Sequence, residues 1–522
     1  MMRSILLFLA VLLTAPALAQ TPLLAPLGSQ SFDDIRRGVE ALAVSGDPRA
    51  APVLDALQAG RLLVQPGGAL FIREPGGALV SAETGAPADA ANLRPVRVNN
   101  GVRRAVDAAM GGLRLFAPDP ATRADAAQAV FKSRDAAALP ALDRALAQEH
   151  DAGVRDIMQQ ARAAAVLATA DANDVEKLAA IATLRSRGDL DARALLSSLP
   201  ESSPAVTAAA ADAVTGIDRL LQLWGLAQGA FYGLSLGSVL LLAATGLAIT
   251  FGVMGVINMA HGEMVMIGAY VTFMVQEVIR AHAPGLFGAS LFIAIPLAFL
   301  VSGALGMAIE RGLIRFLYGR PLETLLATFG LSLVLQQAIR SIFGPTNREV
   351  GTPAWMSGAG RFGQLTLTYN RVAIIVFAIA VLLGLMAVLR FTPLGLRMRA
   401  VTQNRRMAAA MGIRTGGIDA LSFGLGSGVA GMAGVALSQI DNVSPNLGQG
   451  YIIDSFMVVV FGGVGNLWGT ALGALTLGVV NKFLEPVAGA VLGKIVVLVL
   501  LILFIQRRPR GMFPLKGRAV ET

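Results

Sequence analysis

From Leu223 to the C-terminus the chain is a series of apolar blocks, each about as long as a bilayer crossing. They lie near 223–256, 263–279, 289–309, 322–343, 370–390, 417–440, 451–485 and 488–505. A hydrocarbon layer of ~30 Å takes about 20 helical residues, and backbone polar groups inside it must be satisfied within the helix itself. The composition agrees: 15% of residues are charged and mean hydropathy is +0.62, against roughly 25% charge in soluble domains. The expected fold is therefore an all-α polytopic membrane protein. The 58 glycines suit close helix packing in lipid, and the absence of cysteine excludes disulfides and thiol chemistry.

Basic residues give the orientation. Residues 223–522 hold 21 Lys+Arg against 10 Asp+Glu, a net +11, whereas the preceding part has 22 against 24, a net −2. The excess reports topology rather than nucleic-acid binding. The clusters ERGLIRFLYGR, RFTPLGLRMRAVTQNRRMAAAMGIR and QRRPRGMFPLKGR should all face the cytoplasm. The block 451–485 is long for one helix and is interrupted by FGGVGN. Two passes there give about nine crossings, some through broken helices, and the 223–256 block could hide a further break.

The first half differs. Residues 1–19 carry Arg3, a short apolar run and Ala17-Leu18-Ala19, the pattern of a cleaved signal peptide, with a membrane anchor as the alternative. Residues 20–219 should then be a mainly helical extracytoplasmic domain. GDPRAAPVLDAL and SRDAAALPALDRAL align at Asp47/Asp135, Pro52/Pro140, Leu54/Leu142 and Asp55/Asp143, which suggests helical-repeat packing. RLLVQPGGALFIREPGGALVSA, with two Pro-Gly-Gly turns between apolar runs, predicts a small β meander. No catalytic constellation occurs here, and His150 reads as a solvated helix end.

Within the membrane half, GVINMAHGEM places Asn258, His261 and Glu263 in an apolar, glycine-rich setting. A charged group facing lipid at mid-depth costs about 2–3 kcal/mol or more, so these side chains must face protein, water or the interface. Either they line a broken-helix path, or they cap a helix end at the cytoplasmic boundary. Two ligands two residues apart point to different helix faces, so a metal site is not expected. FGGVGNLWGTALGALTLG offers Asn466 and small residues, for tight packing or for a path. Asp441 and Asp454 are expected in an outer loop, DNVSPNLGQGYIID. The basic loop 391–416 carries a short helix with a small face, Ala408 to Ala410, stopped at Gly412; it is either a docking element or only a positive-inside loop. No phosphate-binding loop occurs, and GAVLGKI at 489–495 has the wrong spacing.

Three segments in order, GLAITFGVMGVINMAHGEMVMIGAYV, RMRAVTQNRRMAAAMGI and VVVFGGVGNLWGTALGALTLG, resemble the LivH-like family of branched-chain amino acid and urea ABC importer permeases. The resemblance covers roughly 223–515. A signal peptide and long extracytoplasmic extension ahead of that core resemble the urea branch of the family. The resemblance implies a second homologous permease subunit, two cytoplasmic ATPase subunits that use ATP, and a periplasmic substrate-binding protein. It implies no cofactor on this chain and no enzymatic activity. Asn258, His261, Glu263 and Asn466 become translocation-path candidates, and Arg405, Arg406, Ala408, Ala409 and Gly412 become ATPase-coupling candidates. The expected organisation is a signal peptide at 1–19, an extracytoplasmic domain at 20–219, an inner-membrane permease domain at 220–515 and a cytoplasmic tail at 516–522. Urea or a short amide is the expected cargo. Branched-chain amino acids are the alternative within the class, and a stand-alone channel or a proton-coupled carrier using Glu263 and His261 is the alternative outside it.

Overall fold

Asp47 and Asp135 do the same local work in the two repeat-like segments. Asp47 Oδ1 accepts from the Arg49 amide at 2.8 Å and Asp135 Oδ1 from the Ala137 amide at 2.9 Å. Each closes a turn ahead of a helix, and the matched Leu54 and Leu142 are fully buried. The computed structural model describes residues 23–513 apart from 46, 170 and 201. The expected signal peptide at 1–19 and tail at 516–522 lie outside the described residues.

The chain divides into two units, 1–221 and 222–522. In the first, α1 (Phe32–Val44), α2 (Ala50–Gln58) and α3 (Asn100–Arg114) pack with a small sheet of β1 (Leu62–Val64), β2 (Leu70–Arg73), β3 (Leu79–Ser81) and β4 (Arg94–Pro95). Strand order is β3-β2-β1-β4, all neighbours antiparallel. Both Pro-Gly-Gly segments form the predicted turns: the Gly68 amide donates to Gln65 O and the Gly77 amide to Glu74 O, both at 2.9 Å. Gly68 and Gly77 take φ of 93° and 88°, which L side chains rarely adopt. β4 joins this meander from farther along the chain.

A second core holds α4 (Pro120–Ser133), α5 (Leu139–Gln148), α6 (Ala152–Ala168), α7 (Asp174–Arg187) and α8 (Leu190–Ser197). α6 packs against α4, α5 and α7 through a largely alanine face. Four of these helices start on side-chain caps from Asp119, Asp151, Asn173 and Asp189. Glu149 is buried and takes a bidentate pair from Arg123 at 2.6 and 2.9 Å. That guanidinium, with amide donation from His150 and Asp151, holds the Glu149 carboxyl down to about 2. His150 itself is exposed at the end of the helix.

The division between units falls inside α9 (Pro204–Met254), a continuous helix of 51 residues. The 223–256 block therefore hides no break before Met254. There follow α10 (His261–His282), α11 (Ser290–Gly312), α12 (Pro321–Phe343), a hairpin of β5 (Ala359–Phe362) and β6 (Leu365–Thr368), and α13 (Tyr369–Phe391). Two short loop helices, α14 (Pro393–Gln403) and α15 (Arg405–Ala410), lead to α16 (Thr415–Leu437), α17 (Leu447–Gly462) and α18 (Leu467–Arg507). The hairpin is tied to α9 by a two-way bond between Gln228 and Thr366, at 2.9 and 3.1 Å.

Among the described residues, seven helices are long and apolar enough to span: all of those from α9 to α18 except α14, α15 and α17. The expected nine passes differ from this count in the last third. α17 has 16 residues, short for a full crossing. α18 is two helices that meet at Gly489, φ 76°, just after Pro486. Both of its ends return to α17, with Gly469 against Gly462 and Phe504 against Phe461, so this stretch turns back on itself and holds the further pass that a count of seven long helices leaves out. Backbone contact between glycines holds the bundle together. A Cβ at Gly268 would lie 2.0 Å from Gly431 O, and one at Gly246 2.2 Å from Gly426 O, so α10 and α9 touch α16 at distances no other residue permits.

Candidate functional site

The helix break is where the sequence placed it. Gly255 takes φ 68°, residues 255–258 leave the helix, and α10 begins at His261. The break is buried: Val256, Asn258 and Ala260 are each no more than 5% exposed. Its depth follows from its contacts. His261 Nε2 lies 2.9 Å from Ala243 O, and Ala243 stands about 16 Å before the end of α9 at ~1.5 Å per residue. Ser302, midway along α11, donates to Met264 O at 3.2 Å. Ser332, midway along α12, donates to Glu263 Oε1 at 2.8 Å. Three references thus set the start of α10 halfway through the bundle rather than at its edge.

A second helix begins there. Gly262 and Gly448 are each the second residue of their helices, α10 and α17. A Cβ at Gly262 would lie 2.5 Å from Gly448 O, and one at Gly448 2.4 Å from Gly262 O. Two helix N-termini therefore meet at mid-depth. The partial positive charges of the two helix starts favour electronegative groups, and broken helices of this kind surround solute sites in transporters.

The polar side chains divide by neighbour. Asn258 turns back on its own segment, Oδ1 accepting from the Ala260 amide at 3.0 Å. Thr328 Oγ1 takes the Met259 amide at 3.1 Å, which pins the break to α12. Glu263, 1% exposed, accepts through Oε1 from Ser332 Oγ and Gln336 Nε2, both at 2.8 Å. Its Oε2 and the His261 Nδ1 are buried without a hydrogen-bond partner. No ion pair reaches Glu263 among the described residues. The cluster holds hydroxyl and amide donors, backbone and side-chain acceptors, and one carboxyl.

The α12 residues were missed in the sequence, although they leave a signal. Thr324, Thr328, Ser332 and Gln336 recur every fourth residue and are the buried face of α12, while Leu322, Leu326 and Val334 are exposed. The helix is polar inward and apolar outward, the reverse of a soluble amphipathic helix.

Asn466 is not brought to this cluster by its side chain. Its Oδ1 caps α18 by accepting from the Trp468 and Gly469 amides, and its Nδ2 donates to Phe513 O at 3.2 Å. The FGGVGN turn nonetheless lies beside the end of α9, since a Cβ at Gly252 would sit 2.6 Å from Gly465 Cα. Asp454 is not in an outer loop. It is buried within α17 and pairs with Lys494 of α18 at 2.9 Å, because a carboxylate at that depth needs a cation. Asp441 stays in the loop and accepts from Tyr451 at 3.3 Å.

The loop candidates also divide. Arg406, Ala409 and Gly412 are exposed, alongside Met407 and Met411. Gly412 takes φ 85° with its amide on Ala409 O at 3.0 Å, ending α15. Ala408, by contrast, is 5% exposed and packs with Ile249, Leu385, Met398, Val401 and Ile418 of this same chain. It seats the loop and is not on the outer face. Arg405 turns inward onto Asp419.

Comparison with known proteins places residues 229–505 in the family described as the permease component of branched-chain amino acid transport systems. The chain is similar to the high-affinity branched-chain amino acid transport permease BraD of Pseudomonas aeruginosa, 32% identical over 54% of this chain and 93% of BraD. It is similar to LivH of Escherichia coli, 30% identical over 55% of this chain and 94% of LivH. A shorter likeness, 30% over 19% of this chain and 34% of the relative, links it to the ribose import permease RbsC of Bacillus subtilis. No solved structure matches.

Proposed function

Since this chain belongs to the family of permease components of branched-chain amino acid transport systems, a family of multi-pass inner-membrane transport permeases rather than enzymes, we propose that its cargo is urea or another short amide. The permease family implies ATPase subunits and a substrate-binding protein as partners, so ATP is used off this chain. In this reading a second, homologous permease completes the membrane part, and the cluster at the meeting of α10, α12 and α17 forms or supports the path.

The observation that carries the amide reading is the chemistry of that cluster. Ser332 and Gln336 bond one carboxyl, and Thr328 and Asn258 hold the break beside it. All four are neutral hydrogen-bonding groups, and among the described residues no cation pairs with that carboxyl. Urea offers both N–H donors and a carbonyl acceptor and brings no charge to desolvate. The long region ahead of residue 229, outside the family match, supports the same branch.

A branched-chain amino acid is the second reading, favoured by the relatives' names and by the two helix N-termini at Gly262 and Gly448. Those termini suit a carboxylate, and Glu263 could receive an ammonium. Uptake of labelled urea and labelled leucine by proteoliposomes carrying the complete transporter separates the two. ATP-dependent urea uptake that excess leucine leaves unchanged supports the amide reading. Leucine uptake without urea uptake overturns it.

A further inference from the structure

Arg405 joins three elements at the α15 end of the bundle. Its guanidinium forks onto the Asp419 carboxylate of α16, with Nη1 3.3 Å from Oδ1 and Nη2 on Oδ2. It also lies 4.9 Å above the ring of Tyr318. Asp419 is fully buried. Tyr318, in the turn between α11 and α12, donates from its hydroxyl to Glu310 Oε1 at 2.7 Å, and Glu310 is 1% exposed at the end of α11. Thr324 in the first turn of α12 donates back to Leu317 O at 3.1 Å, fixing that turn to the helix.

We propose that Arg405 is a positioning residue that passes movement of α15 to α12, and through α12 to Glu263. This rests on reading the exposed face of α15 as the ATPase contact and the Glu263 cluster as the path. The physical reason lies in the costs of letting go. Asp419, left without its guanidinium, would be a buried, unpaired carboxylate, which is strongly unfavourable. α15 and α16 are thereby held to one motion. The same guanidinium rests on the Tyr318 face, where a cation is attracted by the ring, so a shift of α15 bears on the turn that begins α12. α12 is a rigid rod from there: Thr324 to Ser332 is about 12 Å at ~1.5 Å per residue. At the far end Ser332 and Gln336 hold the Glu263 carboxyl. Displacing α12 along its axis breaks or remakes those two bonds.

The test uses the complete transporter in proteoliposomes and measures ATP hydrolysed per solute taken up, with co-purification of the ATPase subunits as the control for assembly. Arg405→Gln is expected to raise ATP per solute ten-fold or more while the ATPase subunits still co-purify. Tyr318→Leu is expected to move the ratio the same way. Exchanging the charges, Arg405→Asp with Asp419→Arg, should bring the ratio back to within about three-fold of the parent, which a general loss of packing would not do. An unchanged ratio in Arg405→Gln, loss of the ATPase subunits, or no recovery in the exchanged pair overturns the proposal. A parent complex that moves no solute with ATP removes the importer reading itself, and this proposal with it.

Discussion

Replacing Glu263 by Gln and by Ala should give two different proteins. In the parent, Oε1 accepts from Ser332 and Gln336 while Oε2 has no partner. Gln keeps the shape and an acceptor oxygen for both donors, and its NH₂ falls where an unpaired oxygen already stood. The expected change in stability is within about 1 kcal/mol. Ala removes the acceptor. The Ser332 hydroxyl can turn to a carbonyl one turn back along α12, and Gln336 keeps its 3.1 Å bond to Ser332 Oγ, but its second buried N–H loses its acceptor, worth roughly 1–3 kcal/mol. The vacated space beside a residue 1% exposed adds about 1–2 kcal/mol. The Ala form is therefore expected to hold the α10–α12 contact about 2–5 kcal/mol less firmly. Even 2 kcal/mol lowers the ratio of intact to open contact about 30-fold, since 1.4 kcal/mol is ten-fold. The assay is solute uptake into proteoliposomes, with assembly checked by size-exclusion chromatography, with and without a proton uncoupler. The Gln form should keep most uptake and the Ala form should lose at least nine-tenths of it. Near-normal uptake in both would refute the reasoning and leave the motif as a helix start only. Loss in both, with parent uptake abolished by the uncoupler, would instead identify a titrating relay, because Gln cannot carry the proton.

Three further outcomes are expected. Gly268→Ala sets a Cβ 2.0 Å from Gly431 O, so α10 and α16 must part, at a cost of about 1–3 kcal/mol or more; a lower temperature of aggregation in detergent measures it, and an unchanged one refutes the packing argument. Ala409→Trp, on the exposed face of α15, should leave the folded permease intact but reduce solute-stimulated ATP hydrolysis, whereas Ala408→Leu should destabilise the loop itself, because Ala408 already sits against Met398 and Ile418; equal thermal stability of the two variants would count against this division. In the first unit, the Glu149 carboxyl is held down from 4.5 to about 2 by Arg123; its contribution is full above about 4.5 and is lost as pH falls through about 2. Pepsin digestion compared at matched pH should find Glu149→Gln more susceptible than the parent at pH 4, with the gap closing toward pH 2, and a gap independent of pH would contradict the assignment.

Local chemistry was legible in the sequence because it depends on neighbours along the chain. Spanning length and hydropathy placed the membrane helices, the two Pro-Gly-Gly turns located the small sheet, and glycines beside polar residues marked breaks at Gly255 and at FGGVGN, where φ is positive at Gly255, Gly463 and Gly465. Asp47 and Asp135 matched as turn residues for the same reason. Partners across the bundle were not legible. Glu263 finds its donors 69 and 73 residues away on α12, and Gly262 meets Gly448. Asp454 leaves the expected loop for Lys494, and Ala408 and Ala409, adjacent and chemically identical, point inward and outward. In a chain so rich in small and apolar residues many helix faces could pack, and neither periodicity nor composition says which two do. That choice is made by whole-helix fit, where glycine contacts set the approach and buried polar groups then require particular partners, so only the tertiary structure decided that two helix starts and one carboxyl share the middle of the bundle.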